Sequence, residues 1–216
     1  PGKISVVGIE VPNRAVTTVS LREVIDSSEF AKAKSKTSVA MGKSIDGSCI
    51  VGNIARMPHL LIAGTTGSGK SVCMNSLILS LLYKARPDEV RLIMIDPKMV
   101  ELGVYNGIPH LYVPVVTDPK KAAGALQWSV VEMLKRYRLF SEVGVRDLEN
   151  YNRHNAAAGE PALPQVVIVI KAVDFQQIGS LHGRFGVIDK AAQCSDAGLL
   201  AQHIKSAVLR TLQGFW

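Results

Sequence analysis

Apolar residues between positions 59 and 170 are gathered into short runs, separated by segments in which apolar and polar residues mix. Short apolar runs bounded by turn residues predict buried strands, and longer mixed segments without Gly or Pro predict helices. The predicted strands lie at 59–63, 90–95, 112–116 and 165–170, and the predicted helices at 70–84, about 119–142, and 147–157. Because strands alternate with helices, the pattern predicts an α/β fold with a mostly parallel sheet.

Residues 1–52 have a weaker pattern. Residues 4–11 alternate as a strand does and end at a turn, and a short helix is expected at 20–30. The Lys-rich segment 31–38 is predicted to be a loop, and residues 48–51 a hairpin strand. Farther along, Asp118 and Pro119 suit the N-cap and the first position of the helix predicted at 119–142.

Composition narrows the class of protein only moderately. The chain has 216 residues, 47% of them hydrophobic, enough for a substantial core in one domain with a small appendage. The three cysteines are sparse and lack metal-ligand spacing, which favours a reducing compartment. No apolar run is long enough to cross a bilayer, and no signal peptide is visible. The net charge of +7 suits a polyanion such as DNA, but many proteins are equally basic for other reasons.

A phosphate-binding loop is the clearest motif in the chain. The segment 64–71 fits the pattern G-x-x-x-x-G-K-[ST] in full and lies between a predicted strand and a predicted helix. Its residues are the predicted nucleotide ligands: Gly64, Thr65, Thr66, Gly67, Ser68, Gly69, Lys70 and Ser71.

Each part of this motif has a chemical reason. The glycines let successive N–H groups turn toward phosphate oxygens, at the positive end of the following helix. Lys70 can reach the terminal phosphates as the catalytic cation, and the Ser71 hydroxyl can ligate Mg²⁺. The sequence therefore predicts ATP and Mg²⁺ as cofactors. The loop alone names no reaction, since kinases, transporters, GTPases and helicases share it.

The residues around the loop resemble those of the FtsK/SpoIIIE family of bacterial DNA translocases. The resemblance covers about residues 1–170, and its motifs occur in the family's order. They are GIEVPN at 8–13, MPHLLIAGTTGSGKSV at 57–72, EVRLIMIDPKMVEL at 89–102, VYNGIPHL at 104–111, VVTDPKKA at 115–122, EMLKRYRLF at 132–140 and GVRDLENYN at 144–152.

The resemblance implies a RecA-like P-loop NTPase core that pumps double-stranded DNA during chromosome partition and cell division. Such motors work as hexameric rings with ATP between neighbouring subunits. Their full chains carry a membrane anchor, so this part is expected in the cytoplasm, at the inner face of the membrane. The implied organisation is the end of a small preceding domain at 1–52, a partial motor core at 53–170 and a tail at 171–216. Because the chain starts at Pro1, it is expected to be a truncated piece of a longer protein.

Asp96 lies in the DPK motif, at the carboxyl end of a predicted strand. Ligands bind at that end of open α/β sheets, so Asp96 is a candidate near the nucleotide. The alternative is that it is simply a turn residue before Pro97.

The resemblance fails at the end of the last predicted strand. There the family has an Asp-Glu pair, which holds the Mg²⁺ shell and polarises the attacking water. This chain has Lys171 and Ala172, and the nearest carboxylate is that of Asp174. No family motif is recognisable in 171–216, where a helix is predicted at 197–213.

Other candidate residues carry alternatives. His182 and His203 lack partners at metal spacing and are interpreted as ordinary residues. The basic pairs Lys120–Lys121 and Lys135–Arg136 lie on the helix predicted at 119–142. They form either a solvated face or a contact with DNA phosphates.

Three hypotheses follow. The first is a fragment of a ring-forming, ATP-driven DNA translocase motor, and the second is a conjugation-type DNA pump of the same superfamily. The third is a module that binds nucleotide without hydrolysing it, because the hydrolytic pair is absent from positions 171 and 172.

Overall fold

A computed structural model of the chain describes residues 17–57, 59–65 and 67–171. The strand predicted at 4–11 and the helix predicted at 197–213 lie outside the described residues, as do Asp174, His182 and His203. None of the helices in the described part is both long and apolar enough to cross a membrane.

Two short helices and a hairpin come first. They are α1 (Leu21–Ile25), α2 (Ser28–Lys32), β1 (Ser38–Lys43) and β2 (Cys49–Asn53). The single helix predicted at 20–30 is interrupted because the Ser27 hydroxyl accepts the N–H of Phe30 and caps a new helix. β1 and β2 pair antiparallel, which confirms the hairpin.

Helix α3 (Lys70–Lys84) follows the phosphate loop and has the predicted bounds. Gly69 precedes it in a left-handed conformation, and Ala85 ends it in an extended one. Its inner face, with Leu77, Ile78 and Leu81, packs in one apolar core with Val39 of β1. The hairpin therefore lies against the helix that follows the phosphate loop.

The central sheet is parallel, as predicted. β3 (Val90–Ile95) and β4 (Gln165–Ile170) pair in register over their full length. The strand predicted at 112–116 is reduced to isolated parallel bridges, Leu92 with Leu111 and Ile95 with Val116. Pro114 lies between these bridges and has no N–H to donate, so the segment touches β3 at its ends without forming a ladder.

The prediction of a strand at 59–63 is wrong for this structure. Residues 59–65 adopt no regular structure, and Leu60 and Leu61 are 43% and 39% exposed. A strand needs hydrogen-bonded neighbours as well as apolar side chains, and within the described residues this segment pairs with no strand.

The described part also contains two 3-10 helices, at Ile54–Arg56 and Leu102–Tyr105, and two further α-helices. α4 (Pro119–Glu142) begins where predicted, because the Asp118 carboxylate accepts the N–H of Lys121 at 2.9 Å. α5 (Leu148–Ala158) is capped by Asp147 and ends at Gly159. Part of α4 covers the far face of the sheet, where Ala122 packs with Ile93 and Ile95.

Candidate nucleotide site

The phosphate loop has backbone geometry that only glycine adopts easily. Gly67 and Gly69 have φ angles of 81° and 89°, in the left-handed region. A Cβ at Gly64 would collide with the Ser68 hydroxyl. The described glycines of the motif are thus required by the turn into α3. Thr66 lies outside the described residues.

The Lys70 ammonium is folded back over the loop. Its Nζ donates to the carbonyl oxygens of Gly64 and Thr65, the second at 3.0 Å. These acceptors are neutral, and among the described residues no carboxylate pairs with Lys70. An incoming phosphate would therefore compete only with carbonyl groups for this cation. The geometry suits exchange of the carbonyl contacts for phosphate oxygens.

Ser71, the predicted Mg²⁺ ligand, contacts a carboxylate from another loop. Its Oγ donates to Oε1 of Glu101 at 2.7 Å. The Lys171 ammonium lies 2.6 Å from the same Oε1. One carboxylate oxygen therefore joins the phosphate loop to the residue that directly follows β4.

Glu101 is held in its ionised form. The Lys171 ammonium, and after it the Ser71 hydroxyl, lower the pKa of Glu101 below its ordinary value. The other oxygen, Oε2, is buried and accepts no hydrogen bond from the described residues. Glu101 was not predicted as a site residue, although it lies in the segment 89–102 that carries the family resemblance.

Asp96 supports the backbone of Glu101. It is fully buried, and its Oδ2 accepts the backbone N–H groups of Glu101 and Leu102, each at 3.0 Å. Burial opposes its ionisation, but these two N–H groups and the charge of Lys171 hold the pKa of Asp96 below its usual value. Asp96 therefore closes the turn after β3, as one alternative proposed, and also supports the residue that contacts Ser71.

The basic pairs of α4 have different surroundings. Lys120, Lys121 and Lys135 are exposed. Arg136 is not part of a solvated face, because its side chain is only 12% exposed and lies 2.8 Å from Glu132. It also donates to the Pro164 carbonyl at 2.7 Å, which ties α4 to the loop before β4. Contact with DNA phosphates is therefore open to the three lysines and not to Arg136 in this conformation.

Comparison with known proteins extends the resemblance along the chain. The sequence model of the FtsK/SpoIIIE family matches residues 20–208. The match corrects the expectation that the resemblance ends at residue 170, because it continues well into the segment 171–216.

One similar relative is "DNA translocase FtsK" of Caldanaerobacter subterraneus subsp. tengcongensis, which is 60% identical over 170 residues. The alignment covers 79% of this chain and 23% of that protein. The chain thus spans about a quarter of the length of that relative.

Two solved structures support the fold. The pCW3 conjugation coupling protein TcpA, in its monomer form with ATPγS, has a TM-score of 0.56 and 24% identity. That likeness covers 82% of this chain and 44% of TcpA. The cytoplasmic domain of the Thermomonospora curvata type VII secretion ATPase EccC has a TM-score of 0.57 and 23% identity, covering 71% of this chain and 19% of EccC. Both likenesses confirm the P-loop ATPase fold.

Proposed function

The chain belongs to the FtsK/SpoIIIE family, and from that premise we propose that it is the nucleotide-binding part of an ATP-driven motor for double-stranded DNA. The observation that carries the proposal is the complete loop at 64–71, with Gly67 and Gly69 left-handed and α3 starting at Lys70. Relatives named DNA translocase supply the direction of the proposal, toward movement of DNA.

The loop residues divide the work of binding ATP. Backbone N–H groups at the start of α3 bind phosphate oxygens, and Lys70 supplies the positive charge for the terminal phosphates. Ser71 and nearby carboxylate oxygens fit the ligand preference of Mg²⁺, an ion that neutralises charge on the phosphates when bound. The described residues include no cluster of three or more His, Cys, Asp or Glu side chains that could hold a metal alone. A magnesium ion here would complete its shell with phosphate oxygens and water.

The assembly belongs to the same proposal. A hexameric ring would place ATP between neighbouring subunits and DNA in the centre, on the cytoplasmic side of the membrane. The exposed lysines Lys120, Lys121 and Lys135 are the residues we propose for contact with DNA phosphates. Contacts of this kind position a protein on DNA without reading base sequence.

A second candidate function is nucleotide binding with little hydrolysis. The observation that favours it is the Lys171 ammonium at the end of β4, 2.6 Å from Glu101 and at the position where the resemblance implies an aspartate. A positive charge there opposes the metal and supplies no group to polarise water. In this alternative the chain is an interaction module that binds nucleotide without hydrolysing it.

One pair of measurements on the purified chain tests the proposal and separates it from the alternative. Calorimetry measures binding of ATP with Mg²⁺, and steady-state assays measure hydrolysis with and without double-stranded DNA. Binding together with DNA-stimulated turnover supports the motor, and binding without turnover supports the second candidate. Failure to bind any adenine nucleotide would exclude both.

A further inference from the structure

We propose that Glu101 and Ser71 form the Mg²⁺ site of this chain, and that the Lys171 ammonium is a resident cation which the metal must displace. The inference rests on the proposed nucleotide site and adds a ligand from the turn after β3. It also assigns to Lys171 a role opposed to metal binding.

The position of Glu101 is the first observation. Its Oε1 accepts the Ser71 hydroxyl at 2.7 Å, so it lies beside the one phosphate-loop side chain predicted to hold Mg²⁺. The backbone N–H of Glu101 donates to Oδ2 of Asp96 at 3.0 Å. This bond anchors the backbone of Glu101 to the fully buried residue that follows β3. A ligand held in this way costs little conformational entropy when a metal binds.

The balance of charge is the second observation. Asp96 and Glu101 contribute two carboxylates; the Lys171 ammonium pairs with Glu101, and its charge also lowers the pKa of Asp96. Asp96 is fully buried, and its Oδ1, like Oε2 of Glu101, accepts no hydrogen bond from the described residues. Buried oxygens without a donor are costly, and two of them in the turn that contacts Ser71 form an environment that favours a doubly charged cation over a single ammonium.

Competition follows from the shared oxygen. Mg²⁺ is a hard cation that takes hydroxyl, carboxylate, phosphate and water oxygens in an octahedron. Oε1 of Glu101 already accepts from Ser71 and pairs with the Lys171 ammonium, which lies 2.6 Å away. Coordination through this oxygen therefore requires the ammonium to leave, and part of the metal's binding free energy is lost in displacing it.

The experiment measures how strongly a metal and a nucleotide help each other to bind. Mn²⁺ replaces Mg²⁺ as a paramagnetic probe, and the affinity for mant-ADP is measured by fluorescence in EDTA and in Mn²⁺. We expect Mn²⁺ to improve affinity only a few-fold in the unmodified chain and about tenfold more in Lys171→Met, within the usual range for coupled ligands. In Lys171→Met/Glu101→Gln the gain should disappear, and so should the broadened electron paramagnetic resonance signal of protein-bound Mn²⁺.

Lys98→Met is the matched control. Lys98 is exposed in the same turn, so this change removes one positive charge and leaves the Glu101 ion pair intact. If Lys98→Met raises the metal effect as much as Lys171→Met, general electrostatics explain the result and the assignment of Lys171 is wrong. If Lys171→Met/Glu101→Gln keeps the full gain, Glu101 is not a ligand.

A second measurement works without nucleotide. Mn²⁺ should raise the melting temperature of Lys171→Met more than that of Lys171→Met/Glu101→Gln, because a ligand stabilises only the fold that binds it. A metal-dependent shift without mant-ADP binding would support the cation site and refute the proposed nucleotide function. Equal shifts in the two variants would overturn the cation site even if nucleotide binds.

Discussion

The hydroxyl of Ser80, in the middle of α3, accepts the backbone N–H of Ala40 in β1 at 3.0 Å. The same hydroxyl donates to the Ser76 carbonyl at 2.6 Å, and Ser80 is fully buried. This residue therefore satisfies a hairpin N–H that lies in the apolar interface between β1 and α3.

We expect Ser80→Ala to destabilise the fold by about 1–3 kcal/mol, because it leaves a buried N–H without an acceptor. Urea denaturation monitored by circular dichroism gives the change in unfolding free energy. Ser76→Ala is the control, since its hydroxyl donates to the Val72 carbonyl of its own helix. Equal effects of the two changes would show that the contact with Ala40 contributes little.

Removing the Lys70 side chain should weaken ATP binding by about 10- to 100-fold, the usual effect of removing a charged hydrogen-bond donor. Calorimetric titration of Lys70→Ala with Mg-ATP measures the change. Lys120→Ala removes an exposed lysine from the first turn of another helix and should leave the affinity unchanged. An unaltered affinity in Lys70→Ala would remove Lys70 from the site.

Hydrolysis by this chain should be at least about a hundredfold slower than by a relative with Asp-Glu at the end of the corresponding strand, since one catalytic group is worth roughly that factor or more. The reason is that Lys171 directly follows β4 and pairs with Glu101 at 2.6 Å, where a metal-holding carboxylate is expected. Phosphate release is to be followed with saturating double-stranded DNA, with both proteins assayed together. Turnover of several per second by this chain would contradict the prediction.

DNA binding should be electrostatic and carried in part by the start of α4. Lys120→Gln/Lys121→Gln should weaken binding and lower the salt dependence by about 0.9 in log–log slope for each DNA phosphate that is no longer neutralised. Fluorescence anisotropy with a labelled duplex at several salt concentrations measures both quantities. Lys32→Gln/Lys34→Gln makes the same change in net charge at exposed positions before β1. If both double variants bind alike, only net charge matters.

Acid should weaken the ion pair between Lys36, which precedes β1, and Glu89, the residue before β3. The Arg86 N–H and the Lys36 ammonium hold the pKa of Glu89 below its ordinary value of 4.5. A depressed pKa in the folded state adds stability above the unfolded pKa, and that stability is lost as pH falls through the folded value. Glu89→Gln should therefore flatten the fall in urea midpoint below about pH 4.5. Lys36→Met retains the Arg86 contact and should flatten it less; an unchanged profile in Glu89→Gln would refute the assignment.

The starts of α3 and α4 were predicted correctly because the residues that begin these helices are recognisable in the local sequence. Asp118 and Pro119 define the start of α4, and Gly69 defines the start of α3. Where regular structure depends on a partner, the prediction failed. The segment 112–116 contains a proline that interrupts pairing with β3, and apolar residues 59–63 pair with no described strand.

The same distinction applies to the site. The loop at 64–71 was recognisable because all its residues are consecutive, and its assignment as the nucleotide site stays a prediction. The contact of Ser71 with Glu101 joins residues 30 positions apart, and Lys171, the residue after β4, reaches the same oxygen. The pattern of apolar and polar residues along one strand or helix does not indicate which loops meet at the edge of a sheet. The sequence could show what Lys171 replaces, but not what it contacts.

Arg136 connects α4 to the loop before β4. Its guanidinium bonds Glu132 on its own helix and the Pro164 carbonyl immediately before β4. A force applied to α4 along its axis would therefore be transmitted to β4, at whose far end Lys171 faces Glu101. A load on the helix that carries the exposed lysines would then reach the strand that leads to the Lys171–Glu101 pair, so Arg136 would act as a mechanical link instead of a surface charge.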